Sequence, residues 1–320
     1  MSDPNAPTTP KRPITHSAHG HDRVDEYHWL RDENWRQVME DPSVLDPDIR
    51  AVLEAENAYA NTMLTDVAGL RDELFEELKA RIKPDESQPP SPDGDFAYFT
   101  RYLPGAEYPQ YCRQPRSGGN ADILLDGDKL AEGHDFFRFG DMEHSPDHQR
   151  VAWSEDCQGS ELYTIRVADI ATGTVIDTGP TRTHGGITWL NDCNHYLYVA
   201  LNDDHRPDRV YLHRLGDDPA NDRLIYQEQD PGYFLGCHAG ESRRFAYLSS
   251  HASETSEVRF LSLDDPAADP VLIAARQDGH DYDVTDQGDI FVIRTNRDRA
   301  EDFKLMSAPL NNPAPENWAD

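Results

Sequence analysis

The chain has 320 residues, 60 of them acidic against 30 basic, for a formal net charge of −30 and a pI near 4.6. That balance excludes nucleic-acid binding through phosphate contacts, which needs basic patches that the sequence lacks. It contains no run of about 18 apolar residues, and its start, MSDPNAPTTPKRP, lacks the apolar core of a signal peptide, so it reads as a soluble, cytoplasmic protein without membrane contact.

Residues 1–20, rich in Pro, Thr and Ser, are expected to form a flexible tail. An aromatic cluster follows at Tyr27, His28 and Trp29, and a helical segment runs on to residue 83. Its start is marked by Asp46 as N-cap with Pro47 at the first helical position. Apolar residues then recur at helical spacing through Ile49, Val52, Leu53, Tyr59, Met63, Val67, Leu70, Leu74, Leu78 and Ile82, with a possible break near Gly69. A stripe of this length needs a surface to pack on. Pro84 ends it.

From residue 84 to 320 the period becomes alternating and a unit repeats. Ser91-Pro-Asp-Gly precedes Phe96-Ala-Tyr-Phe, Ser145-Pro-Asp-His precedes Val151-Ala-Trp, and Leu190-Asn-Asp-Cys precedes Tyr196-Leu-Tyr-Val. Gly240-Glu-Ser-Arg precedes Phe245-Ala-Tyr-Leu, and Thr285-Asp-Gln-Gly precedes Ile290-Phe-Val-Ile. Each polar turn leads into a short β-branched or aromatic strand, and a second apolar strand follows, as at Leu162 to Val167 and Val210 to Leu215. The spacing, roughly 45–55 residues, matches a four-stranded propeller blade better than a generic sandwich. The fold is therefore expected to be mainly β, a β-propeller with about five blades starting near residues 91, 145, 190, 240 and 285, after an N-terminal helical segment.

The run Asp25-Glu-Tyr-His-Trp-Leu-Arg-Asp, with Leu53-Glu-Ala-Glu-Asn-Ala-Tyr, Arg81-Ile-Lys, Gly105-Ala-Glu-Tyr-Pro-Gln-Tyr, Leu124-Leu-Asp, Leu224-Ile-Tyr-Gln-Glu and Thr255-Ser-Glu-Val-Arg, resembles the prolyl oligopeptidase family of serine peptidases. The later segments are most similar to its oligopeptidase B branch, whose members cut short peptides after Arg or Lys. The resemblance implies a seven-bladed propeller, here an incomplete β-propeller of about five of seven blades, that gates an α/β-hydrolase domain, with Tyr27, Trp29 and the stripe from Ile49 to Ile82 packed on that domain. It also implies short basic peptides and a C-terminal hydrolase domain as partners. The Gly-x-Ser-x-Gly turn that exposes the nucleophile in such domains does not occur in these 320 residues. No catalytic, substrate-binding or metal residue is therefore carried over, no cofactor is implied, and this portion is expected to be inactive alone, with an unpaired blade edge. The alternative is a non-catalytic propeller that binds a peptide or protein partner; a split enzyme completed by a second polypeptide is a third reading.

The remaining clusters read as structural. His16, His19 and His21 have a spacing that could suit a metal but lie in the tail-like stretch, and His134, His144 and His148 beside Asp135, Glu143 and Asp147 read as solvated loop residues. Glu54 and Glu56 cannot form a catalytic pair, because residues two apart on a helix do not share a face. Asn202, Asp203 and Asp204 read as a solvated turn, with the alternative that the two acids line the propeller tunnel and attract basic peptides. Cys112, Cys157, Cys193 and Cys237 are too far apart for a Cys-x-x-Cys motif and read as buried free thiols. The acidic surface reads as adaptation to a salty interior, ahead of a field that gathers cations.

Overall fold

The computed structural model describes residues 5–320, which divide into two compact units, one up to Glu86 and one from Ser87 to Asp320. No helix among the described residues is long and apolar enough to cross a membrane.

The first unit opens with an antiparallel hairpin, β1 (Ile14–Ala18) and β2 (His21–Asp25), placed where the sequence suggests the end of a flexible tail. The lead-in before it is also held down. Arg12 pairs with Asp48 at 2.6 Å and lies over the Trp29 ring at 4.1 Å, and the Trp29 indole N–H donates to the Pro10 carbonyl at 3.0 Å. Trp29 thus finds its packing partners within its own unit. Three helices follow, α1 (Trp35–Glu40), α2 (Pro47–Met63) and α3 (Ala68–Ala80). Asp46 caps α2, its carboxylate accepting from the amides of Asp48 and Ile49 at 2.8 and 3.3 Å. The apolar stripe breaks at Leu64 to Val67, where a 3-10 turn separates the helices; Gly69 remains inside α3.

The second unit is built from five antiparallel sheets in chain order. The first holds β3 (Ser91–Asp93), β4 (Phe96–Arg101), β5 (Gln110–Pro115) and β6 (Asp122–Asp126), followed by a short helix, α4 (Gly127–Ala131). The second holds β7 (Arg138–His144), β8 (Arg150–Asp156), β9 (Thr164–Asp169) and β10 (Val175–Thr178). The third holds β11 (Thr183–Trp189), β12 (His195–Leu201), β13 (Pro207–Arg214) and β14 (Arg223–Gln227). The fourth holds β15 (Phe234–Ala239), β16 (Phe245–His251), β17 (Ser256–Ser262) and β18 (Val271–Ala274). The fifth has three strands, β19 (Tyr282–Gln287), β20 (Ile290–Thr295) and β21 (Lys304–Pro309). These are the blades of an incomplete propeller.

The repeated polar segment lies between the first and second strands of the second, third and fourth sheets, and in the first and fifth it overlaps the first strand itself. Three of the five sheets therefore begin a strand earlier than the turns suggest, at residues 138, 183 and 234, and the fifth begins three residues earlier, at 282.

Apolar cores fill the spaces between consecutive sheets, which explains the near-continuous apolar second strands. Successive side chains on a strand point to opposite faces. On β12, Tyr196 and Tyr198 face the second sheet with Ile165 and Val167, while Leu197 and Val199 face the fourth with Leu235 and Leu248. On β16, Ala246 and Leu248 face back and Tyr247 faces forward, toward Phe291 and Ile293. Both faces of these strands are thereby covered, and each large apolar side chain buried on them contributes about 1.5–3 kcal/mol.

The second and third sheets are also joined through charge. His213 is fully buried, with Nδ1 2.8 Å from Asp222 and Nε2 3.1 Å from Asp177. Burial alone would discharge this imidazole, but the two carboxylates outweigh it and raise its pKa to about 9, so it is a buried cation at neutral pH. The four cysteines are free, Cys112 and Cys193 buried, Cys157 and Cys237 half-buried, and burial pushes the Cys237 thiol up to about 12.

Candidate functional site

The first strands of the sheets lie beside one another, β11 against both β7 and β15. Between them is a cavity of about 350 Å³ lined by Asp141 and Glu143 of β7, the Gly186 to Trp189 end of β11, Cys237 and His238 of β15, and Glu241 and Arg243 of the following turn. These strands are polar and glycine-bearing because one side faces this space. Close approach between strands also demands glycine: a Cβ on Gly140 would meet the Ser154 hydroxyl at 2.5 Å, and Gly185 holds φ +106° beside it. That hydroxyl donates to the Gly185 carbonyl at 2.7 Å and accepts from the Asp141 amide at 2.9 Å, fixing β7 against β11.

The two cavity acids differ. Asp141 is tied down, accepting from the amides of Met142 at 2.8 Å and Ile187 at 3.0 Å; burial raises its pKa and these bonds oppose the rise. Glu143 faces the cavity without an ion-pair partner of its own among the described residues. Burial first, then the charge of Asp141, push its pKa up to about 7, with Arg243 pulling the other way. Arg243 is already engaged, its Nη2 lying 3.1 Å from Asp93, which closes a contact between the first and fourth sheets. With Glu241 also on the wall, the cavity holds an excess of negative charge that a cation entering it would relieve.

Asp93 links this site to an aromatic stack. Its carboxylate accepts from Nε2 of His144 at 2.8 Å, which leaves Nδ1 to accept from the Tyr111 hydroxyl at 3.1 Å. The His144 ring stacks on Tyr98 at 3.5 Å, and the Tyr98 hydroxyl meets Nδ1 of His148 at 2.8 Å. Burial depresses the His144 pKa to about 4 against the pull of Asp93, so this imidazole is neutral at physiological pH. His144 is therefore a buried strand residue and not the solvated loop residue that its acidic neighbours in sequence suggest, because it ends β7 packed on Tyr98 and bonded to Asp93 and Tyr111. His134 and Asp135 are exposed.

The other sequence candidates fall elsewhere. Asn202 to Arg206 form the turn between β12 and β13, where the Asn202 side chain accepts from the amides of Asp204 and Arg206; they are not among the cavity-lining residues. Glu54 and Glu56 are exposed on α2. His16 is placed beside Asp25 and His28, whereas His19 and His21 lie exposed at the hairpin turn. Asp93, Asp141 and Arg243 drew no attention in the sequence. The signal that could have found Asp141 is the acid- and glycine-bearing strand before the turn, RFGDMEH; Asp93 and Arg243 lie in the Ser91-Pro-Asp-Gly and Gly240-Glu-Ser-Arg segments, which read only as turns.

Residues 7–320 match the family model for the prolyl oligopeptidase N-terminal β-propeller domain. The chain is 31% identical to dipeptidyl aminopeptidase BI of Pseudoxanthomonas mexicana, over 98% of this chain and 44% of that protein. It is 30% identical to protease 2 of Moraxella lacunata, over 96% of this chain and 44% of that protein. Among solved structures, oligopeptidase B of Leishmania major superposes with a TM-score of 0.88 at 27% identity, covering 97% of this chain and 45% of that one. Oligopeptidase B of Trypanosoma brucei, with covalently bound antipain, gives 0.87 at 26%, covering 98% and 46%. The chain thus spans less than half the length of these relatives.

Proposed function

The chain belongs to the prolyl oligopeptidase family, and we propose that it is the N-terminal propeller portion of a cytoplasmic serine oligopeptidase that hydrolyses short peptides after Arg or Lys. In this reading the sheets admit and orient the peptide, while an α/β-hydrolase domain, in further chain or in a second polypeptide, supplies the Ser-Asp-His machinery and cuts through an acyl-enzyme. The observation that supports it is the unneutralised Glu143 in a cavity with an acidic wall, the complement of a basic peptide.

The test is calorimetric titration of the 320-residue chain with a short Arg-containing peptide, followed by addition of an α/β-hydrolase domain from an oligopeptidase B. Affinity is expected to rise with pH through about 7, as Glu143 ionises. Glu143→Gln should weaken binding at pH 8 by roughly tenfold and abolish that rise. Hydrolysis should appear only when the second domain is added. Unchanged binding by the variant would remove the cavity from the argument, and binding without cleavage after addition would favour the non-catalytic propeller.

A further inference from the structure

We infer that the hairpin of the first unit carries a binding site for a divalent first-row metal ion of the zinc class, formed by His16, Asp25 and His28. The three residues come from different local elements. His16 is on β1, Asp25 ends β2 diagonally across from it, where Ile14 pairs with Asp25 and His16 with Arg23, and His28 opens the 3-10 turn that follows. One ligating atom from each lies within 4.8 Å of the other two.

The spacing is the argument. His16 Nε2 is 4.0 Å and His28 Nδ1 3.8 Å from the same oxygen, Asp25 Oδ2. These gaps are too long for hydrogen bonds, so the groups converge without bonding to one another. Metal–ligand bonds of about 2.0–2.2 Å place neighbouring ligand atoms roughly 3.3–3.5 Å apart in a tetrahedral site, a few tenths of an ångström closer than here. The Asp25 carboxylate is aimed by its other oxygen, which accepts from the Tyr27 amide at 3.0 Å. His16 Nε2 is sealed from solvent and makes no hydrogen bond among the described residues, a cost that a bound cation would remove. The imidazole rings meet edge to face with centroids 4.7 Å apart.

Asp93, His144 and His148 form the other candidate cluster, and the comparison separates the two. There, both His144 nitrogens are occupied by hydrogen bonds of 2.8 and 3.1 Å, and His148 Nδ1 holds Tyr98, so the ligating atoms are already committed. In the hairpin cluster only one carboxylate oxygen is committed. Two imidazoles and one carboxylate suit Zn²⁺ or Co²⁺ and leave a fourth position for water.

Co²⁺ is the probe. Titrated into the untagged 320-residue chain, one equivalent should develop the intense visible bands of a four-coordinate ion, which Zn²⁺ then displaces. His16→Gln and His28→Gln should each weaken binding by at least about tenfold. Asp25→Asn, which keeps an oxygen for the Tyr27 amide but loses the charge, should do the same. His134→Gln, at an exposed histidine of the other unit, should bind like the unaltered chain. His16, Asp25 and His28 are half-buried and His134 is exposed, and circular dichroism checks that each variant is folded. Absence of a four-coordinate band in the unaltered chain would overturn the site, as would full affinity in folded His16→Gln or His28→Gln.

Discussion

The two units spend their apolar residues in opposite ways. In the sheet unit, Tyr196, Leu197, Tyr247, Leu248, Phe291 and Ile293 are almost completely removed from solvent. In the first unit Ile49 is the one buried large hydrophobic residue among those described, and Leu70, Phe75, Leu78 and Ile82 are each more than half exposed. Both regions carry regular secondary structure, but only the sheets are held by a dense interior. The first unit rests instead on caps, a hairpin and the contacts around Trp29. Regular hydrogen bonding and stability are therefore separable here, since packing supplies most of what a helix needs in water.

The largest test of that contrast is Phe291→Ala. It empties a site shared by Phe245, Tyr247 and Phe260 and should cost the sheet unit about 3–5 kcal/mol in urea unfolding. Next is pH. Because the His213 pKa is raised to about 9 in the fold, the stability it contributes is complete below about 6.5 and is lost as pH rises through 9. Unfolding measured at pH 6 and pH 9.5 should differ by on the order of 2–3 kcal/mol from this group, a difference that His213→Gln removes. Gly94→Ala is a smaller break: at φ +55° the new Cβ would lie 2.6 Å from His148 Nε2, and about 1–2 kcal/mol is expected. Smallest is Leu78→Ala, where a side chain already 60% exposed loses little and the unfolding midpoint should move by less than about 0.5 kcal/mol equivalent.

The architecture was readable where side chains alternate against two neighbouring cores, as on β8, β12 and β16, and where one core and aromatic or β-branched residues mark the strand, as on β4 and β20. The first strands were not readable. Asp141 and Glu143 on β7 and His238 on β15 break any apolar alternation because they line the cavity, and Gly140 breaks it because Ser154 and Tyr163 leave no room for a side chain. The same chemistry that makes those strands candidates for function hid them from a pattern built on burial. Asp93 and Arg243 were hidden for a different reason: 150 positions separate them, and no local rule connects a turn in the first sheet to a turn in the fourth. The hairpin cluster was half visible. His16 stood out among the histidines, but its companions, Asp25 across the hairpin and His28 in the next turn, follow from strand register and not from spacing.

The Asp93–Arg243 contact also bears on how the chain reaches its native state. The cores between sheets join consecutive segments and can form as each sheet leaves the ribosome, whereas this ion pair closes a loop of 150 residues. Closing it costs roughly 1 kcal/mol more in chain entropy than closing a loop a third as long. It cannot form before Arg243, in the turn after β15, has been made, so the pair is a timestamp for a chain whose first three sheets have already been synthesised.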